Sequence, residues 1–181
     1  MTRVAAIVAM LLILHPGMGR EQAQRYASII ATEGAKHDIQ AVTTIALVSH
    51  ESHWRARAES RDGEDIGLGQ IRARYVGACR HDPDPVHNPR RECLRVRESL
   101  RYGEYNLRLT IAVLTRWRKT CRKQTGRSWA RDVLSGYAGR SRPSKRQWCG
   151  RAFRRGRWVE LPVHKGVADV LRLRARLLRS R

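Results

Sequence analysis

Long segments of this chain repeat their apolar residues at three- or four-residue spacing, and none alternates them convincingly at two. That periodicity is the helical one, so the expected fold class is all-α, α+β at most, with any sheet confined to a small hairpin. Residues 21–36 place Ala23, Tyr26, Ala27, Ile30 and Ala31 on one face. Residues 40–52 do the same with Ala41, Val42, Ile45, Ala46 and Val48 and run out at Ser49-His50-Glu51-Ser52. A third, long helix is expected over 95–118, carried by Leu100, Leu107, Ile111 and Leu114 with Val113 and Trp117 beside them. A shorter one follows over about 129–135, and a final amphipathic helix carries Val163, Val167, Val170, Leu171, Leu177 and Leu178. Gly67-Leu68-Gly69-Gln70-Ile71 reads as the opening of another short helix. The prolines from His81 to Pro89 demand a loop.

The N-terminus supplies the compartment. Arg3 is followed by an unbroken apolar run from Val4 to Leu14, then His15-Pro16 and the small-x-small site Gly17-Met18-Gly19. A short basic start, a run of that length and such a site describe a cleavable secretory signal. Eleven residues reach only about 16 Å as a helix, too short for a ~30 Å bilayer core, so a membrane anchor is disfavoured. The expected organisation is a signal peptide over 1–19, one helical domain over 20–140 and a basic C-terminal extension over 141–181. Secretion or residence in a periplasm is the expected localisation. Cys79, Cys93, Cys121 and Cys149 agree with export: they are even in number and none sits in a CxxC pair. Three pairings exist. Cys79–Cys93 with Cys121–Cys149 is favoured because each closes a loop rich in turn residues and charge.

With 37 Lys+Arg against 16 Asp+Glu, the net charge is +21, which first suggests nucleic acid. Thirty-two of those cations are Arg, a skew that base composition alone can produce. Residues 140–181 hold 14 of the cations and two acids, with Trp148, Phe153 and Trp158 interleaved. No helix-turn-helix or zinc-finger spacing is present, and export moves the chain away from nucleic acid. The anionic partners expected instead are envelope polymers, attracted by forces that salt screens.

One carboxylate stands out. Glu51 ends an apolar helical run, where partial burial and the negative end of the helix dipole both favour its protonated form. A carboxyl kept protonated near neutral pH suits general-acid chemistry; the plain alternative is a surface glutamate at a helix end. The surrounding string decides between them. Glu51-Ser52-His53-Trp54, then Ala58-x-Ser60, Gly63 and Gly67-Leu68-Gly69-Gln70-Ile71, resembles the catalytic domain of the lytic transglycosylases, the lysozyme-like family that includes soluble muramidases and goose-type relatives. The resemblance runs from about residue 23 to about 140. The Asp65-Ile66-Gly67-Leu68 form looks most like specialised members that accompany secretion systems, which makes secretion-system components candidate partners.

The resemblance implies a lysozyme-like helical domain that cleaves the β-1,4 bond between N-acetylmuramic acid and N-acetylglucosamine in peptidoglycan. Glu51 falls on the family's single catalytic acid, and Ser60 and Gln70 on polar positions lining the sugar site. Glu51 would protonate the leaving oxygen, then take the proton of the muramoyl 6-hydroxyl, giving a 1,6-anhydro end without water or a cofactor. Trp54 stands where the family has Phe, and Gly69 where it has Met, which leaves more room there. The family's Tyr-Asn-Ala-Gly, whose Tyr faces the acid, becomes Gly136-Tyr137-Ala138-Gly139 here. Either Tyr137 reaches the site from a shifted backbone or that function is missing. Glu59, Asp62, Glu64 and Asp65 offer a second carboxylate, which would permit hydrolysis; the alternative is solvated loop charges pairing with Arg55, Arg57 and Arg61. His50, Glu51 and His53 fall one residue short of the zinc protease spacing, with no third ligand motif, so no metal is expected. The runner-up function is a non-catalytic cationic envelope- or glycan-binding protein.

Overall fold

A computed structural model describes residues 2–179 of the chain; Met1, Ser180 and Arg181, at the outer ends of the expected signal and extension, lie outside them. The described residues form seven α-helices and two small antiparallel sheets. The helices are α1 (Arg3–Leu14), α2 (Arg20–His37), α3 (Ala41–Glu51), α4 (Arg91–Leu100), α5 (Gly103–Thr125), α6 (Ala130–Tyr137) and α7 (Lys165–Arg179). Strands β1 (Asp65–Ile66) and β2 (Ile71–Arg72) make a hairpin. Strands β3 (Gln147–Trp148), β4 (Arg151–Arg154) and β5 (Arg157–Glu160) make a three-stranded sheet in chain order.

α3 lies at the centre. Residues 41 to 49 are all buried, and Val42, Ile45, Ala46 and Val48 are inaccessible to solvent. Around them gather Ile30 of α2, Leu107, Ile111 and Leu114 of α5, Leu134 of α6 and Val167 and Val170 of α7. At about 25 cal/mol per Å² of apolar surface removed from water, this shared core is the main force holding the helices together. The expected signal segment is helical as α1; it packs on α2 and buries Ile7 and Leu11 in the same cluster. Its end is pinned where His15 Nε2 meets Ser49 Oγ at 2.9 Å.

Three expectations need correction. The long helix over 95–118 is two helices, broken at Arg101-Tyr102. The Asn106 side-chain amide donates to the Leu100 carbonyl at 2.8 Å, taking an acceptor that a continuing helix would use. Gly103 then lets α5 approach Tyr26 so closely that a Cβ there would lie 2.0 Å from the Tyr26 hydroxyl oxygen. Second, 67–71 does not open a helix; it is the tight connection between β1 and β2. Gly67 and Gln70 sit in the left-handed region, at φ +81° and +49°, which no helix tolerates. Third, sheet is not confined to one hairpin. Strands β3 to β5 are too short and too rich in Arg for alternation to show, and their pairing rests partly on Phe153 facing Trp158 edge-on at 5.5 Å.

Residues 141–179 are built into the fold. Arg151 donates to the Thr125 carbonyl at 3.1 Å, and Arg131 to the Leu161 carbonyl at 2.6 Å. Glu160 pairs with Arg127 at 2.7 Å and with Arg131. The disulfide Cys121–Cys149 ties this sheet to α5, and Cys79–Cys93 ties the loop before α4 to that helix. No cysteine among the described residues is free. Replacing Cys121 and Cys149 with Ala is expected to cost roughly 3–4 kcal/mol, as closing a loop of that length does. Thermal unfolding of the double variant measures it, and an unchanged midpoint would refute the tie.

Candidate active site

Glu51 is the last residue of α3, and the chain must turn sharply after it. His53 and Trp54 both adopt left-handed backbone, at φ +52° and +62°, which is strained for side-chain-bearing residues. The turn is held by the Ser52 N–H donating to the Val48 carbonyl at 3.1 Å and by Trp54 Nε1 donating to Ser49 Oγ at 3.0 Å. Trp54 is buried and stacks on Tyr26 at 5.6 Å between ring centroids. It is therefore a core aromatic whose fixed position aims the residue three before it.

The hairpin β1–β2 forms the other wall. Gly69 donates its N–H to Asn106 Oδ1 at 2.9 Å, and Tyr137 donates its hydroxyl to the Gly69 carbonyl at 2.5 Å. A Cβ at Gly69 would fall 2.0 Å from Thr110 Oγ1 and 2.8 Å from the Tyr137 hydroxyl oxygen. The absence of a side chain at this position does not leave more room, as the sequence suggests; Thr110 and Tyr137 occupy it. Tyr137 reaches the hairpin from the last turn of α6. The displaced tyrosine thus does arrive beside the hairpin, with Gly136 closing on the Trp117 ring.

Burial pushes the Glu51 carboxyl up to about 7, and the negative charge of Asp65 pushes in the same direction. The Tyr137 hydroxyl is raised well above its ordinary range, first by burial and then by Glu51, with Asp65 adding to it. Glu51, Asp65 and Tyr137 therefore lie near enough to feel one another's charge. A protonated Glu51 at neutral pH can give a proton to a leaving oxygen and recover one in the next step.

Ser60 and Gln70 are committed to the loop that carries this hairpin. The Ser60 hydroxyl donates to Asp62 Oδ1 at 2.6 Å and accepts the Asp65 N–H at 2.9 Å. Gln70 Nε2 donates to the carbonyls of Gly67 and Ala58 at 3.0 and 3.3 Å. Both side chains shape the wall of the site. Three of the four loop carboxylates pair, but with arginines other than those expected nearby, while Asp62 accepts from Ser60 and the Glu64 N–H instead. Glu59 binds Arg97 and Arg101 at 2.6 and 2.7 Å, Glu64 binds Arg74, and Asp65 binds Arg72 at 3.1 Å. Side chains from α4 and β2 reach them because the fold, not chain proximity, sets the neighbours. Among the described residues no group of three His, Cys, Asp or Glu could hold a metal ion.

Sequence reasoning missed Asn106, the inaccessible polar centre of the site. Its amide donates to the carbonyls of Ile66 and Leu100, both at 2.8 Å, while its oxygen receives Gly69. The available signal was a polar pair, Asn106 and Thr110, at four-residue spacing inside the apolar stripe of Leu107, Ile111 and Leu114. No protein-family model, no curated protein and no solved structure matches this chain.

Proposed function

We propose that the protein is an exported peptidoglycan-cleaving lytic transglycosylase with Glu51 as its one general acid and base. The observation that carries the reading is Glu51 at the end of the buried helix α3, where burial raises its carboxyl to about 7, near Asp65 and the half-buried Tyr137. Protonation of the glycosidic oxygen by Glu51 lets the bond to the muramoyl carbon break with oxocarbenium character. The ionised Glu51 then accepts the proton of the muramoyl 6-hydroxyl as that oxygen closes on the same carbon, and the 1,6-anhydro end forms. Protons balance, because the acid is regenerated. Asp65 is the carboxylate that acts on Glu51, so it is the candidate for activating water instead, which would give a reducing end. Mass spectrometry of the fragments separates the two: anhydro ends support the proposal, and reducing ends that vanish in Asp65→Asn would assign the water route to Asp65.

The two disulfides fit an oxidising, extracytoplasmic compartment, and among the described residues no helix is long and apolar enough to cross a membrane. Export with cleavage near Gly19 would remove α1. The intact mass of the exported protein is expected to correspond to a chain starting at about residue 20; a mass that includes Met1 would overturn cleavage.

The second reading, a cationic envelope binder, is favoured by the turn between β4 and β5. Arg154, Arg155 and Arg157 are all exposed there. Binding to purified sacculi is expected to weaken several-fold as salt rises from about 0.05 to about 0.5 M, because exposed charges are screened over a Debye length. Binding that ignores salt would remove electrostatic recruitment from either reading.

A further inference from the structure

His50 and His53 flank Glu51 in the chain yet border a different surface. Both are exposed, and they line a crevice of about 360 Å³ with Ser49 on one side and Asp169, Arg172 and Arg176 of α7 on the other. The three α7 positions are spaced by three and four residues, so they form one stripe facing the end of α3. Two contacts fix the walls. Arg174 donates to Thr43 Oγ1 at 3.0 Å and to the Gln40 side chain, locking α7 along α3. Gly166 brings the start of α7 against His50, where a Cβ would stand 3.1 Å from Nε2.

The charge balance of this crevice is one-sided. Two guanidinium groups and two imidazoles face one carboxylate, Asp169, which already pairs with Arg172. The nitrogen-rich lining supplies N–H donors from two opposed walls, and guanidinium forks match tetrahedral oxyanions. We propose that the crevice between α3 and α7 is a binding site for a phosphate group, with His50, His53 and Arg176 as its donors. The site is independent of glycan cleavage and is read by binding alone.

The titratable and charged groups facing the two histidines are His15 at the end of α1, His164 before α7, and Asp169, Arg172 and Arg176 on α7. Burial, and secondarily the neighbouring His53, hold the His15 imidazole below its ordinary value. A phosphate seated between the imidazoles and the arginines supplies the anion that this one-sided lining lacks.

The test is a titration of the full chain with inorganic phosphate at constant ionic strength, following the imidazole C–H signals of His50 and His53 by NMR. Saturable shifts of both are expected at one fixed pH. Arg176→Gln, on the exposed side of α7, should weaken binding about tenfold, while Arg95→Gln, at an exposed position of α4, should leave it unchanged. Shifts that never saturate would overturn the site. So would equal weakening by Arg176→Gln and Arg95→Gln, since that marks a diffuse charge effect. A poly(glycerol phosphate) that competes for the same signals identifies the phosphate as polymer-borne; one that fails to compete identifies the free ion.

Discussion

Glu51→Gln is expected to reduce the clearing of purified sacculi by about a hundredfold or more, since a positioned acid contributes two to four orders of magnitude. Gln keeps the size and polarity of Glu but cannot give a proton. The wild type should lose activity as pH rises past about 7, where the carboxyl ionises. The same group sets a stability trend of known sign. Its folded value lies above the ordinary carboxyl value, so protonation is favoured more strongly in the folded chain. The unfolded chain ionises first as pH rises through about 4.5, and stability falls until the folded group ionises near 7. The accumulated cost is on the order of 3 kcal/mol. Glu51→Gln should therefore be more stable than wild type above about pH 7 and gain nothing below about pH 4. Equal clearing by variant and wild type would refute the catalytic reading and leave the cationic binder. A stability difference that does not change with pH would refute the burial of the carboxyl.

Asn106→Ala is expected to cost roughly 3–5 kcal/mol, because it leaves the Ile66 and Leu100 carbonyls and the Gly69 N–H without their partner in a site closed to water. For a chain of this size that is a fall in melting temperature of about ten degrees or more. The loss should extend to activity, since Gly69 and Tyr137 define the wall beside Glu51. Asn106→Asp separates the contributions. It keeps an acceptor for Gly69 but loses both donors and buries a charge, so it too should be strongly destabilised. A melting temperature within a degree or two of wild type for either variant would show that the amide does not organise the hairpin.

Helical periodicity exposed the main helices because each one presents an apolar face to a shared core, and that demand acts on every turn of the sequence. It did not expose the break before Gly103. The apolar stripe continues across it, and the break is held by the Asn106 amide on the Leu100 carbonyl and by the close approach of Gly103 to Tyr26, neither of which shows in an apolar pattern. Strands β3 to β5 were hidden for a related reason: pairs of two to four residues are stabilised by partners and a disulfide, not by a pattern within themselves.

The candidate site divides in the same way. Glu51 stood out as an acid at the end of an apolar helical run, but it was the string that follows it, through Gln70, that set it apart from an ordinary helix-end glutamate. The cysteine pairing was legible too, since loop length and composition are properties of the chain. Which carboxylate acts on Glu51, which arginines neutralise the others, and whether Tyr137 reaches the hairpin from its displaced position are matters of the tertiary fold. Each depends on helices far apart in sequence converging on β1 and β2, and desolvation and Coulomb forces respond to distance in space rather than distance along the chain.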